Sequence, residues 1–395
     1  MIPIKHSLTA GALASLVLLS PVTVSAAERP DFAPLEAQLV RACEAGEFSG
    51  VLAVARRGEM LFQHVCGQAD PVNGVANTPE TRFKIFSTSK YLTAISILRM
   101  CENGEMDLDA PIGRYLADAP SSWTGVTVRN LLNHTSGLPD LTEAMLARFS
   151  VDHPTAMKAV LTDLPEDATR PLEGPGENFR YNNFGFELLA HAAAATRGES
   201  FGQILEELVL KPAGMTTASV EAPNMVAGHP VAVQEEGLAI GYNGAPGALT
   251  QAQNWAFIQL GAGAVRASLA DMLALDRALQ DGRLLKPESL AEMRAAPVVS
   301  RDGKAVVGPK GYGLGMVVSS AAGQTMVGHS GGTNGYIADF EQLPDQDAVL
   351  VILTNRGFTR LQPLREQVGR AFMAVPTGAT SSSTSRLSSV LASAA

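Results

Sequence analysis

Phe83-Lys84-Ile85-Phe86-Ser87-Thr88-Ser89-Lys90 runs without a break into Tyr91-Leu92-Thr93-Ala94-Ile95-Ser96-Ile97-Leu98. If the apolar run is helical, residues three apart share a face, and the Ser87 hydroxyl sits beside the Lys90 amine at a helix N-terminus. A free serine hydroxyl is a weak nucleophile, and a lysine in apolar surroundings loses proton affinity because desolvation disfavours its charged form. The two residues therefore make chemical sense as nucleophile and base of an acylating centre. Taken alone, Ser-x-x-Lys also fits a hydroxyl cap followed by a solvated lysine on a surface helix. Against that stands the run after Lys90, apolar on nearly every face, which marks a helix buried on most sides. A charge placed there needs a reason.

On the N-terminal side, Leu35, Leu39, Val40 and Cys43 keep helical spacing up to Gly46; Val51 to Ala55, a turn at Arg57-Gly58, and Met60 to Val65 then predict a β-hairpin. Toward the other end, Tyr312 to Ser319, Gln324 to Gly328, Tyr336 to Gln342 and Ala348 to Thr354 predict four strands, followed by a helix from Leu361 to Met373. Between these ends the pattern is helical and loop-rich, at Thr127 to Leu132, Leu141 to Phe149, Phe184 to Ala195, Phe201 to Leu210 and Leu269 to Leu279. The fold class expected is α/β, with an antiparallel sheet formed by both chain ends, flanking helices, and an inserted, mostly helical domain. The expected boundaries are residues 27–84 and 300–376 for the sheet domain and 85–299 for the helical one. Residues 377–395, rich in Ser, Thr and Ala, are expected to form a flexible tail.

A chain of 395 residues, 46% hydrophobic and 17% charged, has the composition of a globular enzyme-sized protein. Met1-Ile2-Pro3-Ile4-Lys5, an apolar stretch from Leu8 to Leu19, and Val24-Ser25-Ala26 before Ala27 fit the basic, apolar and cleavage regions of a secretory signal, residues 1–26. The apolar stretch is shorter than the roughly 20 residues of a spanning helix, so a periplasmic or secreted mature protein with no membrane span is expected. The net charge is −9 without a basic cluster, which argues against a nucleic-acid partner. Cys43, Cys66 and Cys101 show no metal-ligand spacing and cannot all pair; a single disulfide stays open, but buried free thiols are the expectation.

Four motifs occur in order: the Phe83 to Lys90 stretch, Leu131-Leu132-Asn133-His134-Thr135-Ser136-Gly137-Leu138-Pro139, Phe179-Arg180-Tyr181-Asn182-Asn183-Phe184-Gly185, and Gly328-His329-Ser330-Gly331-Gly332. In order and context they resemble the class C β-lactamase-like serine hydrolases, a family that takes in penicillin-binding DD-peptidases, D-aminopeptidases, class C β-lactamases and several esterases. The resemblance runs from about Val51 to Asn355. It implies that Ser87 is the acylated nucleophile, with Lys90 and Tyr181 as its proton partners. A tyrosine acts as a base only where a nearby cation favours its phenolate, and Lys90 would supply one. Which of the two takes the Ser87 proton stays open at this point, because a coupled pair titrates as a unit. The resemblance further implies that Asn183 holds the substrate carbonyl or amide, that His329, Ser330 and Gly331 line the substrate, and that the N–H groups of Ser87 and Gly332 form an oxyanion hole. Two such donors are worth roughly 3 kcal/mol each in the transition state.

Gly328-His329-Ser330-Gly331-Gly332 also satisfies Gly-x-Ser-x-Gly, the nucleophile elbow of another hydrolase class. That elbow needs a strand, a turn and a helix, with the triad histidine later in the chain. Thr333 to Phe340 instead form a Gly-broken strand pattern, and His329 is the last histidine. Within the resembled family His329 is a departure from the Lys-Thr-Gly of class C β-lactamases, where the ammonium helps hold a carboxylate. An imidazole with its ordinary pKa near 6.5 is mostly neutral at pH 7 and anchors a carboxylate less well. A D-amino-acid peptide is therefore the substrate expected first, a carboxylic ester second and a β-lactam third. A binding protein that is acylated without turnover is the alternative of a different class, and the presence of Lys90 and Tyr181 beside Ser87 argues against it. His134 is expected to tie its loop through backbone hydrogen bonds and His191 to pack in the core; His64, His153 and His229 lack metal spacing, so neither metal nor cofactor is expected. The expected partner is a small-molecule or peptide substrate. Oligomeric state is not legible, and the loops Asp140 to Arg170 and Glu221 to Trp255, where specificity would lie, carry no pattern that translates into a pocket shape.

Overall fold

In a computed structural model, helix α1 (Ala33–Glu44) leads into strands β1 (Gly50–Arg56) and β2 (Glu59–Cys66). The structure describes residues 29–140, 161, 164, 169–221, 223–226, 229–232, 235–252, 260–295, 298, 311–333 and 335–373. The expected signal, the tail and the Leu141 to Phe149 helix lie outside them. Residues Pro30–Ala374 form one compact unit.

The short strand β3 (Phe83–Lys84) precedes helix α2 (Ser89–Glu102), and helix α3 (Asn183–Arg197) carries the Tyr-x-Asn element at its start. Strand β4 (Val265–Ala267) and helix α4 (Leu269–Gln280) close the helical region. Strands β5 (Gly311–Tyr312), β6 (Val317–Ala321), β7 (Gln324–Thr333), β8 (Tyr336–Leu343) and β9 (Ala348–Thr354) then lead to helix α5 (Leu361–Met373). The large sheet has seven antiparallel strands in the order β5-β6-β7-β8-β9-β1-β2, so β1 from the start of the chain pairs with β9 from its end, Gly50 opposite Thr354 and Arg56 opposite Ala348.

Why β1 and β9 are apolar at nearly every position follows from the pleat, which sends successive side chains to opposite faces. Leu52, Val54, Leu350 and Ile352 enter a core with Leu35 and Leu39 of α1 and Leu364, Val368 and Phe372 of α5. Val51, Ala53, Val349, Val351 and Leu353 enter the opposite core with Tyr91, Ile95, Met272 and Leu275 of α2 and α4. The sheet is thus a layer between terminal helices and the helical region. Helix α2 is buried from Ser89 to Leu98, as its all-round apolar pattern requires, and its hydroxyls are satisfied: Ser96 Oγ donates to the Leu92 carbonyl at 3.1 Å and Thr93 Oγ1 to that of Gly261 at 2.7 Å.

Four local expectations need correction. The strand expected over Tyr312 to Ser319 is broken, because the chain between β5 and β6 tucks against α2; a Cβ on Gly315, at φ +70°, would lie 2.4 Å from Ala94 Cβ and 3.0 Å from the Lys90 carbonyl. The strand expected to stop at Gly328 continues to Thr333, paired with β8 down to Thr333 opposite Tyr336. The helix expected over Phe201 to Leu210 changes from α (Phe201–Leu205) to π-type winding (Glu206–Leu210). Finally, Cys43 and Cys66 are not free thiols. Packing of α1 on β2 brings their Cα atoms to 6.3 Å and they form a disulfide, leaving Cys101 free. Among the described residues, no helix is long and apolar enough to cross a membrane.

Candidate active site

Ser87 lies in a 3-10 turn, Phe86–Thr88, that runs directly into α2, which begins two residues later at Ser89. The turn is entered through Phe86 at φ +43°, a conformation costly for an aromatic residue and held by its surroundings. Strand β4 lies between Phe83–Lys84 and Ser219–Val220 in a small antiparallel sheet, and the Ile85 N–H donates to the Val265 carbonyl at 3.0 Å. Behind it the fully buried Arg266 pairs with Glu221 at 3.0 Å and with Glu235, and Lys84 pairs with Glu221 at 2.9 Å. These ties fix the backbone that presents the serine.

Lys90 is 0% exposed and its Nζ has three neighbours: Ser87 Oγ at 3.1 Å, Asn183 Oδ1 at 2.7 Å and the Ala262 carbonyl at 3.1 Å. Two of the three, the amide oxygen and the carbonyl, only accept hydrogen bonds. A neutral amine has two N–H donors and one lone pair, so with both donors committed to Asn183 and Ala262 the lone pair points at the serine hydroxyl. Desolvation brings Lys90 down to about 7, against the opposing pull of Glu187 and Asp140. The Lys90 Nζ also lies 4.9 Å from the centre of the Tyr181 ring.

Tyr181 is 36% exposed as a residue, but its hydroxyl is buried and hydrogen-bonds Ser87. Burial of that hydroxyl pushes its pKa above the ordinary value near 10, against the Ser87 hydrogen bond, so the phenol keeps its proton at neutral pH. The helix cap is Asn182 rather than its neighbour: Asn182 Oδ1 accepts the Gly185 N–H at 2.6 Å and its amide donates to the Leu138 carbonyl at 2.7 Å. Capping by Asn182 leaves Asn183, the first helical residue, free to face Lys90. Asp140, which the motif reading passed over, accepts the Phe184 N–H at 2.9 Å and lies 3.4 Å from the Asn183 amide.

Strand β7 closes the other side. Thr88 Oγ1 donates to the His329 carbonyl at 3.2 Å, and a Cβ on Gly331 would lie 2.0 Å from the Ile85 carbonyl and 2.8 Å from the Ser87 nitrogen. The close approach that demands glycine is therefore at 331. Gly332, next along, is exposed, and a Cβ there would meet only the end of the Ile337 side chain within 3 Å. Strand β6 pairs with β7 only as far as Gly328, so among the described residues Ser330 and Gly332 have no strand partner on that side.

His329 is buried, and both ring nitrogens are occupied. Nδ1 is 2.6 Å from the Ser330 carbonyl, which only accepts, so Nδ1 carries the hydrogen; Nε2, 3.0 Å from the Tyr312 hydroxyl, then accepts from it. Desolvation, with Lys90 adding to it, brings His329 down to about 3, so the imidazole is neutral. His134 ties its loop as expected: Nδ1 accepts the Asn182 N–H at 3.2 Å, and the His134 carbonyl accepts the Arg180 N–H at 2.8 Å. Its ring packs between Tyr181 at 4.4 Å and Tyr312 at 4.6 Å, so it also holds the tyrosine in place. A group whose ligand atoms lie close enough for a metal ion is Cys43, His64 and Cys66, on the far strand β2 and the end of α1, where the disulfide consumes both sulfurs.

A family model described as Beta-lactamase matches residues 35–371, and the chain belongs to that family of serine hydrolases. Over 325 residues it is 27% identical to a penicillin-binding protein of Bacillus subtilis (strain 168), a match covering 79% of this chain and 69% of that protein. It is 28% identical over 320 residues to a D-aminopeptidase of Brucella canis, covering 78% of this chain and 56% of the relative, so the match spans little more than half of that enzyme. Its fold resembles that of a D-amino acid amidase from Ochrobactrum anthropi SV3, with a TM-score of 0.69, 24% identity, and coverage of 87% of this chain and 98% of the other.

Proposed function

We propose that the protein is an exported hydrolase in which Ser87 forms an acyl-enzyme, Lys90 takes the Ser87 proton, and the substrate is a peptide or amide of a D-amino acid. The observation that carries the proposal is the hydrogen-bonding of Lys90, which leaves one lone pair and aims it at the nucleophile. Lys90 is the better base of the two candidates: its pKa near 7 leaves about half of it neutral at pH 7, whereas the Tyr181 phenol holds its proton. Ser87 Oγ attacks the carbonyl carbon as its proton passes to Lys90 Nζ. Charge on the carbonyl oxygen is met by the N–H groups of Ser87 and Gly332. Tyr181, hydrogen-bonded to Ser87, relays a proton to the departing amine, and water then releases the acyl group.

Two features favour a D-amino-acid substrate over a penicillin. The relatives include a D-aminopeptidase, and the buried, neutral His329 offers no cation where class C β-lactamases place a lysine. The Cys43–Cys66 disulfide fits an oxidising compartment, as the N-terminal sequence does. The test is hydrolysis of D- and L-alanine p-nitroanilide by wild type and Ser87→Ala, with intact mass recorded in parallel. Preference for the D enantiomer, an acyl adduct on wild type alone, and a loss of at least about a thousandfold in Ser87→Ala are expected. Wild-type rates in Ser87→Ala would overturn the mechanism, and preference for the L enantiomer would overturn the substrate class. Export is checked by the mass of protein from the periplasm or culture fluid, which should begin at Ala27.

A further inference from the structure

Asn183 and Glu187 are four residues apart on α3 and so lie on one face. Asn183 receives Lys90 directly, and Glu187 reaches it at one remove. Glu187 Oε1 accepts the Ala262 N–H at 3.0 Å, and the carbonyl of that same residue accepts from Lys90 Nζ at 3.1 Å. The Leu260 and Gly261 N–H groups also bond to the Glu187 carboxyl, which is 5% exposed. The segment it holds is further tied to α2 by Thr93, whose hydroxyl donates to the Gly261 carbonyl at 2.7 Å, and by Ser89, whose Oγ accepts the Val265 N–H at 3.1 Å.

A run of backbone N–H groups needs an acceptor, and a glutamine would supply one. Burying an ionisable carboxyl beside an ionisable amine goes beyond that need. The charged and titratable groups that face Lys90 are Glu187 from α3, Asp140 from the loop before it, the Tyr181 phenol, and the neutral imidazoles of His134 and His329. Of the two carboxylates, Glu187 is the fully enclosed one and shares a backbone bridge with the amine.

We propose that Glu187 is a positioning residue for Lys90, holding the Ala262 carbonyl against the amine and setting, through its charge, the pH range in which that amine is free to accept the Ser87 proton. The inference rests on the assignment of Lys90 as base. An ionised Glu187 favours the ammonium form of Lys90 and an ammonium at Lys90 favours the carboxylate, while burial opposes both charges. Burial pushes Glu187 up to about 8 and Lys90 down to about 7, so the two groups titrate in the same pH range and as a pair.

The experiment compares the pH dependence of kcat/KM for p-nitrophenyl acetate in wild type and Glu187→Gln, with Ser87→Ala as control. Glutamine keeps the acceptor for Ala262, so a purely structural role leaves the acid limb where it is. Loss of the carboxylate instead lowers the proton affinity of Lys90 and moves the acid limb down by about one pH unit. An unmoved limb with a uniform change in rate overturns the inference while leaving the acyl-enzyme reading intact; wild-type turnover in Ser87→Ala overturns that reading itself. Should Glu187→Gln fail to fold, the same coupling is read by carbon-13 NMR of the Glu187 carboxyl in wild type and Lys90→Met. Without the amine its titration should move up by about one unit or more, and an unmoved titration overturns the proposal.

Discussion

Asn183→Asp separates two jobs that the Asn183 amide could perform, orienting Lys90 or holding the substrate. The substitution keeps an oxygen at the place that now accepts from Lys90 Nζ at 2.7 Å, but gives it a negative charge. An opposite charge at that distance favours the ammonium and raises its pKa by about 1–3 units. Asp140, 3.4 Å from the present amide, adds to the field in the same direction. Starting from about 7, a rise of roughly one and a half units cuts the neutral fraction at pH 7 from about one half to about 3%, a loss of roughly fifteenfold. The loss must shrink as pH rises, because above the new pKa the amine is again neutral. The assay is kcat/KM for p-nitrophenyl acetate from about pH 5 to pH 10, with melting temperature recorded at each pH. A wild-type acid limb near 7 that moves up in the variant, with rates converging at alkaline pH, is the expected result. An equal loss at every pH refutes the reasoning and assigns the Asn183 amide to the substrate instead.

Gly331→Ala places a methyl group 2.0 Å from the Ile85 carbonyl and 2.8 Å from the Ser87 nitrogen, both backbone atoms, so β7 must move away from the nucleophile turn. A stability loss of about 1–3 kcal/mol and a clear fall in the Ser87 acylation rate are expected; denaturant melts and burst kinetics check this, and a normal acylation rate contradicts it. Replacing Cys43 and Cys66 together by serine opens a loop of 23 residues and should cost about 3 kcal/mol, read as a lower urea midpoint. Its Ser87 labelling under native conditions should match wild type, since the disulfide lies on β2 and α1, at the far edge of the sheet; lost labelling in the folded variant would show that this edge is coupled to the nucleophile.

The strands of the central sheet were legible because physics leaves few alternatives for runs such as Ala348 to Thr354. Such a run is too short for a helix, apolar at all but its last position, and bounded by turn residues, so it must be a strand covered on both faces. What the pattern could not show is where elements meet. The Cys43–Cys66 bond depends on how α1 lies across β2, and the break between β5 and β6 depends on contact with α2; both are properties of packing between segments distant in sequence. The motifs of a known family put Asn183 in the same site as Lys90, 93 positions away, but assign it to the substrate; its hydrogen bond to the Lys90 amine is legible from neither local stretch.

Glu187 is the instructive omission, because its signal was present in the same form as that of Lys90. Phe184-Gly185-Phe186-Glu187-Leu188-Leu189-Ala190 is a helical run with one acid among apolar residues, and every one of those positions is buried. An ionised side chain with no partner in such a place costs several kcal/mol, so it must be neutral, hydrogen-bonded or paired. Applied to Lys90, that rule marked a functional group; applied to Glu187, it directs attention to the donors and the titratable group that surround the carboxyl. Lys90 is the one lysine in the apolar α2, and the chain brings the two to opposite sides of a single residue, Ala262. The two ionisable groups thus share one buried site, with the Ser87 hydroxyl 3.1 Å from the amine.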